Sequence, residues 1–240
     1  MQAMLQLENI KKSFIQKGNR IEAVKDVSFA LWQGEALGLV GESGCGKSTI
    51  GKIIAQLLPP DSGCMQWNGA QEHIQMVFQN PIASFNPRRK LGESVMEPLL
   101  NQHVPRNKAK ERMLELFNAC GLAPAYTERY PHQVSGGECQ RAAIARAVMV
   151  MPKLLICDEA TSSLDVTVQA AVIELLASLK RTTQLSFLFI SHDLALVQKF
   201  CDRVLVMRQG EILEEGTPQT IIENPQNEYT KRLVDSVFLL

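Results

Sequence analysis

The stretch "ALGLVGESGCGKSTI", Ala36 to Ile50, decides the fold. Its first five residues are apolar apart from one glycine, the pattern of a strand covered on both faces. A helix is predicted from about Lys47, with Ile50, Ile53, Ile54, Leu57 and Leu58 at i, i+3, i+4, i+7 and i+8 before Pro59-Pro60 stops it. Between them, Gly41 to Thr49 fits G-x-x-x-x-G-K-[ST], and a strand before with a helix after is the context that gives this pattern meaning. The glycines let backbone N–H groups curl around phosphate oxygens, and the helix N-terminus adds the positive end of its dipole. Gly41, Glu42, Ser43, Gly44, Cys45, Gly46, Lys47, Ser48 and Thr49 are therefore candidate nucleotide-binding residues. Lys47 would pair with the β- and γ-phosphates, and Ser48 would hold Mg²⁺.

Two further strands end in chemistry. "KLLICDE" is an apolar strand closing on Asp158 and Glu159, and ligands of α/β sheets bind beyond the carboxyl ends of strands. Asp158 would reach the Mg²⁺, and Glu159 would polarise an attacking water. "LFISHDL" repeats the design with Ser191, His192 and Asp193. His192 is placed for a γ-phosphate contact, while Ser191 or Asp193 can equally cap the next helix.

Strand-helix alternation along the rest of the chain argues for a mostly parallel α/β sheet. "MLQLENI" and "VSFAL" alternate as antiparallel strands do, and "VLVMRQGEILEEG" reads as a hairpin turning at Gln209-Gly210. Residues from about 80 to 150 change character, with more Asn, Pro and charge, and a helix from Lys108 to Cys120 that Gly121 ends. This is the candidate helical lobe, inserted in a core of about 1–79 and 151–215, with C-terminal helices over about 216–240 in one 240-residue domain. Thr217-Pro218 and Glu228 open those last helices.

Composition excludes several classes. A chain of 240 residues buries roughly 70–75% of its unfolded surface without staples. Acidic and basic residues balance at 25 each, so no global field selects nucleic acid or an anionic membrane. Six scattered cysteines without C-x-x-C read as a reducing compartment with neither disulfide framework nor zinc site, and Cys45 and Cys157 read as small apolar fillers. No apolar run approaches 18 residues and Met1 to Phe14 lacks a signal-peptide core, so the chain is not expected to span a membrane by itself.

"VSGGECQR" poses a separate question. Ser135 with Glu138 three residues on makes a capping box. That accounts for neither Gly136 nor Gly137, poor helix formers at a helix start, and the pair points to close approach of something to the backbone. Taken together, "GESGCGKST", "VFQNP", "VSGGECQR", "LLICDE", "SSLD" and "ISHD" resemble, in order, the motifs of the ATPase subunits of ABC transporters over Phe14 to Asp193.

The resemblance implies an α/β fold: a P-loop ATPase core with mostly parallel sheet, an N-terminal antiparallel β region and the inserted helical lobe. It implies ATP and Mg²⁺ as cofactors and a head-to-tail dimer with a second ATPase subunit, the same chain or a paralogue. Ser135, Gly136 and Gly137 would meet the γ-phosphate of ATP held by the opposite subunit. Phe14 would stack on adenine, where Tyr is commoner. Gln79 would touch Mg²⁺ and the attacking water, and Asp165 would lie in the loop crossing between subunits. Three departures stand out: Val134 in place of Leu, Glu138 in place of Gln, and a segment between Trp67 and Phe78 short enough to trim a surface hairpin.

"QMVFQNPIASFNPR", "LDVTVQAAVIELL" and the tail "ENPQNEYTKRL" are similar to the peptide and nickel importer branch of that family. The expected partners are two transmembrane permease subunits, with a cytoplasmic helix of one received near Gln79 to Arg89. A periplasmic or extracellular solute-binding protein is an indirect partner, and no nucleic acid is expected. The chain would sit peripherally on the cytoplasmic face of the inner membrane and hydrolyse ATP to power uptake of peptides or nickel and other metal chelates. The alternatives are a soluble ABC-type ATPase acting on ribosomes or DNA, which usually carries two ATPase units or long insertions, and a P-loop nucleotide kinase, which has no use for "VSGGE".

Overall fold

A computed structural model describes residues 3–16, 18–68, 73–161 and 164–238. Ser162 and Ser163 of "SSLD", and residues 69–72 of the shortened segment before Phe78, lie outside the described residues. In chain order the elements are β1 (Leu5–Gln16), β2 (Asn19–Leu31), β3 (Ala36–Val40), α1 (Lys47–Ile54), β4 (Ser62–Trp67), β5 (Ile74–Val77), α2 (Leu91–Asn101), α3 (Arg106–Ala119) and α4 (Gly136–Val148). They continue with β6 (Leu154–Asp158), α5 (Val166–Thr183), β7 (Ser186–Ser191), α6 (Leu194–Phe200), β8 (Arg203–Arg208), β9 (Glu211–Gly216), α7 (Pro218–Glu223) and α8 (Glu228–Phe238). The chain forms two compact units, Met1–Gln71 with Gln184–Leu240, and Glu72–Thr183.

The first unit holds an antiparallel sheet in the order β2-β1-β4 and strands in the order β7-β3-β8-β9. β3 lies between two parallel neighbours, with Val40 level with Ser191 on one side and Val206 on the other. Every residue of "ALGLV" is buried, as its unbroken apolar sequence requires. Gly38 lets α6 close on the strand, because a β-carbon there would stand 2.8 Å from Val197 Cγ1. β8 and β9 form the expected hairpin: Arg208 faces Glu211, and Gln209 and Gly210 both have positive φ, as a two-residue turn of that twist demands.

The second unit pairs β5 and β6 in parallel, Val77 level with Cys157, and adds α2 to α5. Val95 and Met96 of α2, Met113 and Phe117 of α3, and Ala143 and Ile144 of α4 are among its buried apolar residues. The fold is thus the expected α/β architecture with an antiparallel N-terminal sheet, parallel strands and a group of helices. Among the described residues no cysteine is in a disulfide, and burial pushes the Cys157 thiol up to about 12.

One helix end departs from its sequence pattern. α1 stops at Ile54, and Leu57, assigned above to its apolar face, is 60% exposed. The chain leaves through a Schellman turn, with Leu57 N–H on Lys52 O (2.9 Å) and Gln56 N–H on Ile53 O (3.0 Å), which puts Gln56 at φ 57. α3 ends the same way, Leu122 on Phe117 O and Gly121 on Asn118 O, but there glycine fills the left-handed position. Left-handed geometry costs a non-glycine residue about 1–2 kcal/mol, against about 0.4–1 kcal/mol for the looser unfolded chain a glycine brings. Gln56→Gly should therefore stabilise the protein by about 0.5–1 kcal/mol. Denaturant titration measures it, and a lower midpoint than wild type would refute this account of the helix end.

Candidate functional site

The loop after β3 is shaped by two glycines that nothing else can replace. Gly41 has φ 151, and a β-carbon would come within 2.0 Å of Met207 O. Gly46 has φ 110, and a β-carbon would lie 2.1 Å from Ala23 O. The loop closes on itself through Cys45 N–H to Glu42 O (3.3 Å) and is tied to the β8–β9 turn through Gly210 N–H to Cys45 O (3.0 Å). Burial pushes the Cys45 thiol up, so it is the neutral filler its position suggests. Glu42, Ser43 and Gly44 are exposed.

Lys47 is 3% exposed, and its Nζ donates to Gly41 O and Glu42 O, both at 2.8 Å. α1 opens on Gly46, has no side-chain cap and carries no acidic residue in its first turn. A positive helix end without a cap, beside a buried ammonium, is built to receive anionic oxygens.

Because Val40 is level with Ser191, the next residues, Gly41 and His192, leave adjacent strands at the same height. Asp193 is the cap of α6, accepting from Ala195 N (2.8 Å) and Leu196 N (3.2 Å), while Ser191 Oγ accepts from Asp193 N. His192, the third member of that trio, is exposed. Phe14, at 40% exposed, is not a core aromatic. It pairs across β1–β2 with Ile21, two residues before the Ala23 whose carbonyl abuts Gly46.

In the second unit, Asp158 closes β6 at 5% exposed and Glu159 turns away at φ 47. Gln79 Nε2 donates to Glu159 Oε2 at 2.8 Å, so the residue two beyond β5 orients the residue one beyond β6. Asp165 Oδ1 accepts from Val168 N (3.0 Å), which makes it the cap of α5.

The capping box at α4 is formed: Ser135 Oγ accepts from Glu138 N (3.3 Å), and Glu138 Oε2 accepts from Ser135 N (2.7 Å). The other Glu138 oxygen accepts from Tyr126 OH. That hydrogen bond, then the one from Ser135, holds the carboxyl below the usual range. The Glu138 carboxylate, the departure from Gln noted above, is thus committed to its own chain. The two glycines differ. A β-carbon on Gly136 would meet nothing within 4 Å, whereas one on Gly137 would stand 2.5 Å from Val168 Cγ1. Packing against α5 explains Gly137, and only Gly136 lacks a reason within its own chain.

Sequence reasoning missed Tyr126, Val168 and Arg146. The Arg146 guanidinium donates to Ser84 O (2.7 Å) and Ser84 Oγ (3.0 Å) and lies 4.2 Å from the Phe85 ring centroid. It fixes the segment after Gln79. These partners are 62 residues apart, beyond any helix or strand period.

A glycine loop on a buried lysine, set between a central strand and an uncapped helix, defines a P-loop nucleotide-binding protein. The ABC transporter family model matches residues 24–162. The chain is 44% identical over 246 residues to the oligopeptide transport ATP-binding protein OppF of Haemophilus influenzae, covering 96% of this chain and 74% of that protein. It is 44% identical over 255 residues to the glutathione import ATP-binding protein GsiA of Pectobacterium atrosepticum, spanning 98% of this chain but 41% of that protein. The structure of a dimeric post-hydrolysis state of the ATP-binding cassette MJ0796 with ADP and Pi aligns at TM-score 0.82 and 26% identity, over 90% of this chain and 99% of that one. The chain belongs to the ABC transporter family, as an ATP-binding subunit, and is an ATPase.

The Gly137 contact is testable within the fold. Gly137→Ala forces the stiff, β-branched Val168 to move and should cost about 1–3 kcal/mol. Val168→Ala in the same chain should recover most of that loss in a double-mutant cycle of denaturation midpoints. A Gly137→Ala chain as stable as wild type would show that the packing account is wrong.

Proposed function

We propose that this chain drives import of small peptides, hydrolysing ATP while bound to permease subunits at the cytoplasmic face of the membrane. Relatives named for oligopeptide, dipeptide and glutathione transport support the cargo class. The same names do not favour the soluble ATPase acting on ribosomes or DNA. Among the described residues no helix is long and apolar enough to cross a membrane, so in this reading the permeases supply attachment. The segment Arg146 pins, with exposed Phe78 and Ile82 beside it, is where a permease helix would seat.

The observation that carries the reading is Lys47, buried on a glycine loop at an uncapped helix end. In the proposed mechanism Lys47 binds the β- and γ-phosphates, Phe14 stacks on adenine and His192 contacts the γ-phosphate. Glu159 takes the proton of a water attacking the γ-phosphorus in line. The new P–O bond forms as the bond to the bridging oxygen breaks, giving ADP and phosphate. Gln79 orients that carboxylate. The donor set of Ser48 hydroxyl, Asp158 carboxylate and Gln79 amide suits a hard cation, and because the Gln79 NH₂ is turned to Glu159, cation contact falls to its amide oxygen. Bound there, Mg²⁺ would neutralise charge on the β- and γ-phosphates.

The second ATPase subunit enters through Ser135 and Gly136. Gly136 is exposed and its own chain leaves the space beside it open, the arrangement a ligand from a partner subunit needs. Asp165, capping α5 at an exposed position, is offered to the same partner.

In transporter reconstituted with its permeases, Lys47→Ala should abolish peptide-dependent ATP turnover and weaken MgATP binding. Glu159→Gln should keep MgATP binding and lower turnover by about 10²–10⁴-fold. Near-normal turnover in either variant overturns the assignment of that residue. Gly136→Asp should fold normally and bind MgATP at its own P-loop. In a mixed dimer it should stop hydrolysis at the opposite site. Loss of binding at the mutated chain's own site, with the other site active, would show that Gly136 serves its own nucleotide.

A further inference from the structure

The tail "ENPQNEYTKRL" is the one stretch singled out by sequence that the ATPase mechanism leaves unused, and the structure carries it back to the P-loop. Tyr229, on the first turn of α8, is 4% exposed, and its hydroxyl accepts the backbone N–H of Glu42 at 3.0 Å. The carbonyl of that same peptide unit belongs to Gly41 and accepts from Lys47 Nζ at 2.8 Å. Tyr229 and Lys47 therefore hold the two ends of one peptide plane. Gly41 supplies the rotational freedom that makes such a hold necessary, since no side chain restricts its backbone. If the plane turned, Lys47 would lose one of its two carbonyl partners, and the order of N–H groups further along the loop would change with it.

The tyrosine is itself fixed from three sides. The Arg208 guanidinium carbon lies 4.8 Å from its ring centroid, at the end of the strand whose Met207 carbonyl abuts Gly41. Asn227 Oδ1 accepts from Tyr229 N (2.9 Å), capping α8. Glu214 on β9 holds the approach to that helix, accepting from Gln226 N (2.8 Å) and Asn227 N (3.1 Å). Burial raises the phenol above its ordinary value, so it stays a neutral hydroxyl. The whole path, from β9 through the tail to Glu42, lies within one compact unit.

We propose that Tyr229 is a positioning residue of the nucleotide site: the C-terminal segment latches the Gly41–Glu42 peptide and so sets the affinity of the P-loop for phosphate. The ligand concerned is the polyphosphate of the nucleotide, not its base, and the inference rests on the P-loop reading above. A pre-ordered loop binds more tightly because less of the binding energy is spent on ordering it. Relaxing one peptide plane should therefore appear in affinity before it appears in chemistry.

Tyr229→Phe in the full-length chain removes the hydroxyl and keeps the ring. It should raise the Kd for MgATP about three- to tenfold, the scale of one lost hydrogen bond. Inorganic tripolyphosphate with Mg²⁺, which has no base to stack, should lose the same factor. In the assembled transporter KM should rise and kcat at saturating ATP should stay within about twofold. A tyrosine that merely packs the tail would lower the unfolding midpoint and leave both Kd values unchanged, and that result overturns the proposal. Residue-resolved amide exchange on the nucleotide-free wild type tests the latch without any variant: Glu42 N–H should be protected, and exchange at the free-peptide rate also overturns it. Lys47→Ala is the control for the site. If it binds MgATP normally, the P-loop reading fails; if it loses binding while Tyr229→Phe does not, only the latch fails.

Discussion

An ammonium group removed from water must find oxygen partners, and at Lys47 that requirement organises the surrounding loop. Burying a charge without partners is prohibitive, and here two main-chain carbonyls, Gly41 O and Glu42 O, supply them. Successive carbonyls turn inward onto one nitrogen only if the backbone adopts angles such as the φ of 151 at Gly41. The same turn presses Gly41 on Met207 and Gly46 on Ala23, so the loop is packed by main chain on both flanks. A peptide's N–H points opposite to its C=O, so gathering the Gly41 carbonyl on Lys47 sends the Glu42 N–H outward, where Tyr229 meets it. The geometry that hides the charge also leaves the ammonium next to an uncapped helix end, a setting that favours negative charge.

In the proposed mechanism helix capping and ligand binding draw on the same short segments of this protein. Asp193 spends its carboxylate on α6, and in the proposed mechanism its neighbour His192 contacts the γ-phosphate. Ser135 Oγ accepts from Glu138 N, which fixes the hydroxyl beside the first turn of α4. Capping fixes the rotamer of a side chain that must act with small tolerance, which is what support for a site consists of. Glu138 shows the limit of reading charge from sequence. Its carboxylate looks hostile to a nearby phosphate, yet Tyr126 and the Ser135 amide absorb both oxygens.

Legibility in the sequence followed the range of the interaction. β3, the glycine loop and the start of α1 are local patterns, and so are the Ser135–Glu138 box, the Gln209-Gly210 turn and the Gly121 helix end; each is where the pattern puts it. The end of α1 is not legible because the apolar period runs on to Leu58, while a Schellman turn at Gln56 needs no glycine to form. What could not be read are contacts between distant segments: Val168 against Gly137, Arg146 on Phe85, Tyr126 on Glu138, Tyr229 on Glu42. The glycine pair illustrates the difference. One sequence feature had two causes, internal packing for Gly137 and open space for Gly136, and only the neighbours of each β-carbon separate them.

Glu159 concentrates the conflict between stability and function in a single residue. In a continuing strand, successive side chains point to opposite faces. β6 ends instead with Asp158 buried and Glu159 at φ 47, a left-handed geometry that costs a residue with a β-carbon about 1–3 kcal/mol. The turn breaks the alternation, so that two consecutive carboxylates leave the strand end in different environments, one nearly solvent-free and one facing the Gln79 amide. Glycine would adopt the same backbone without strain, but it carries no base. Strain that a glycine could relieve, kept where the proposed chemistry needs a base, is the pattern expected of a residue retained for what it does rather than for how well it folds.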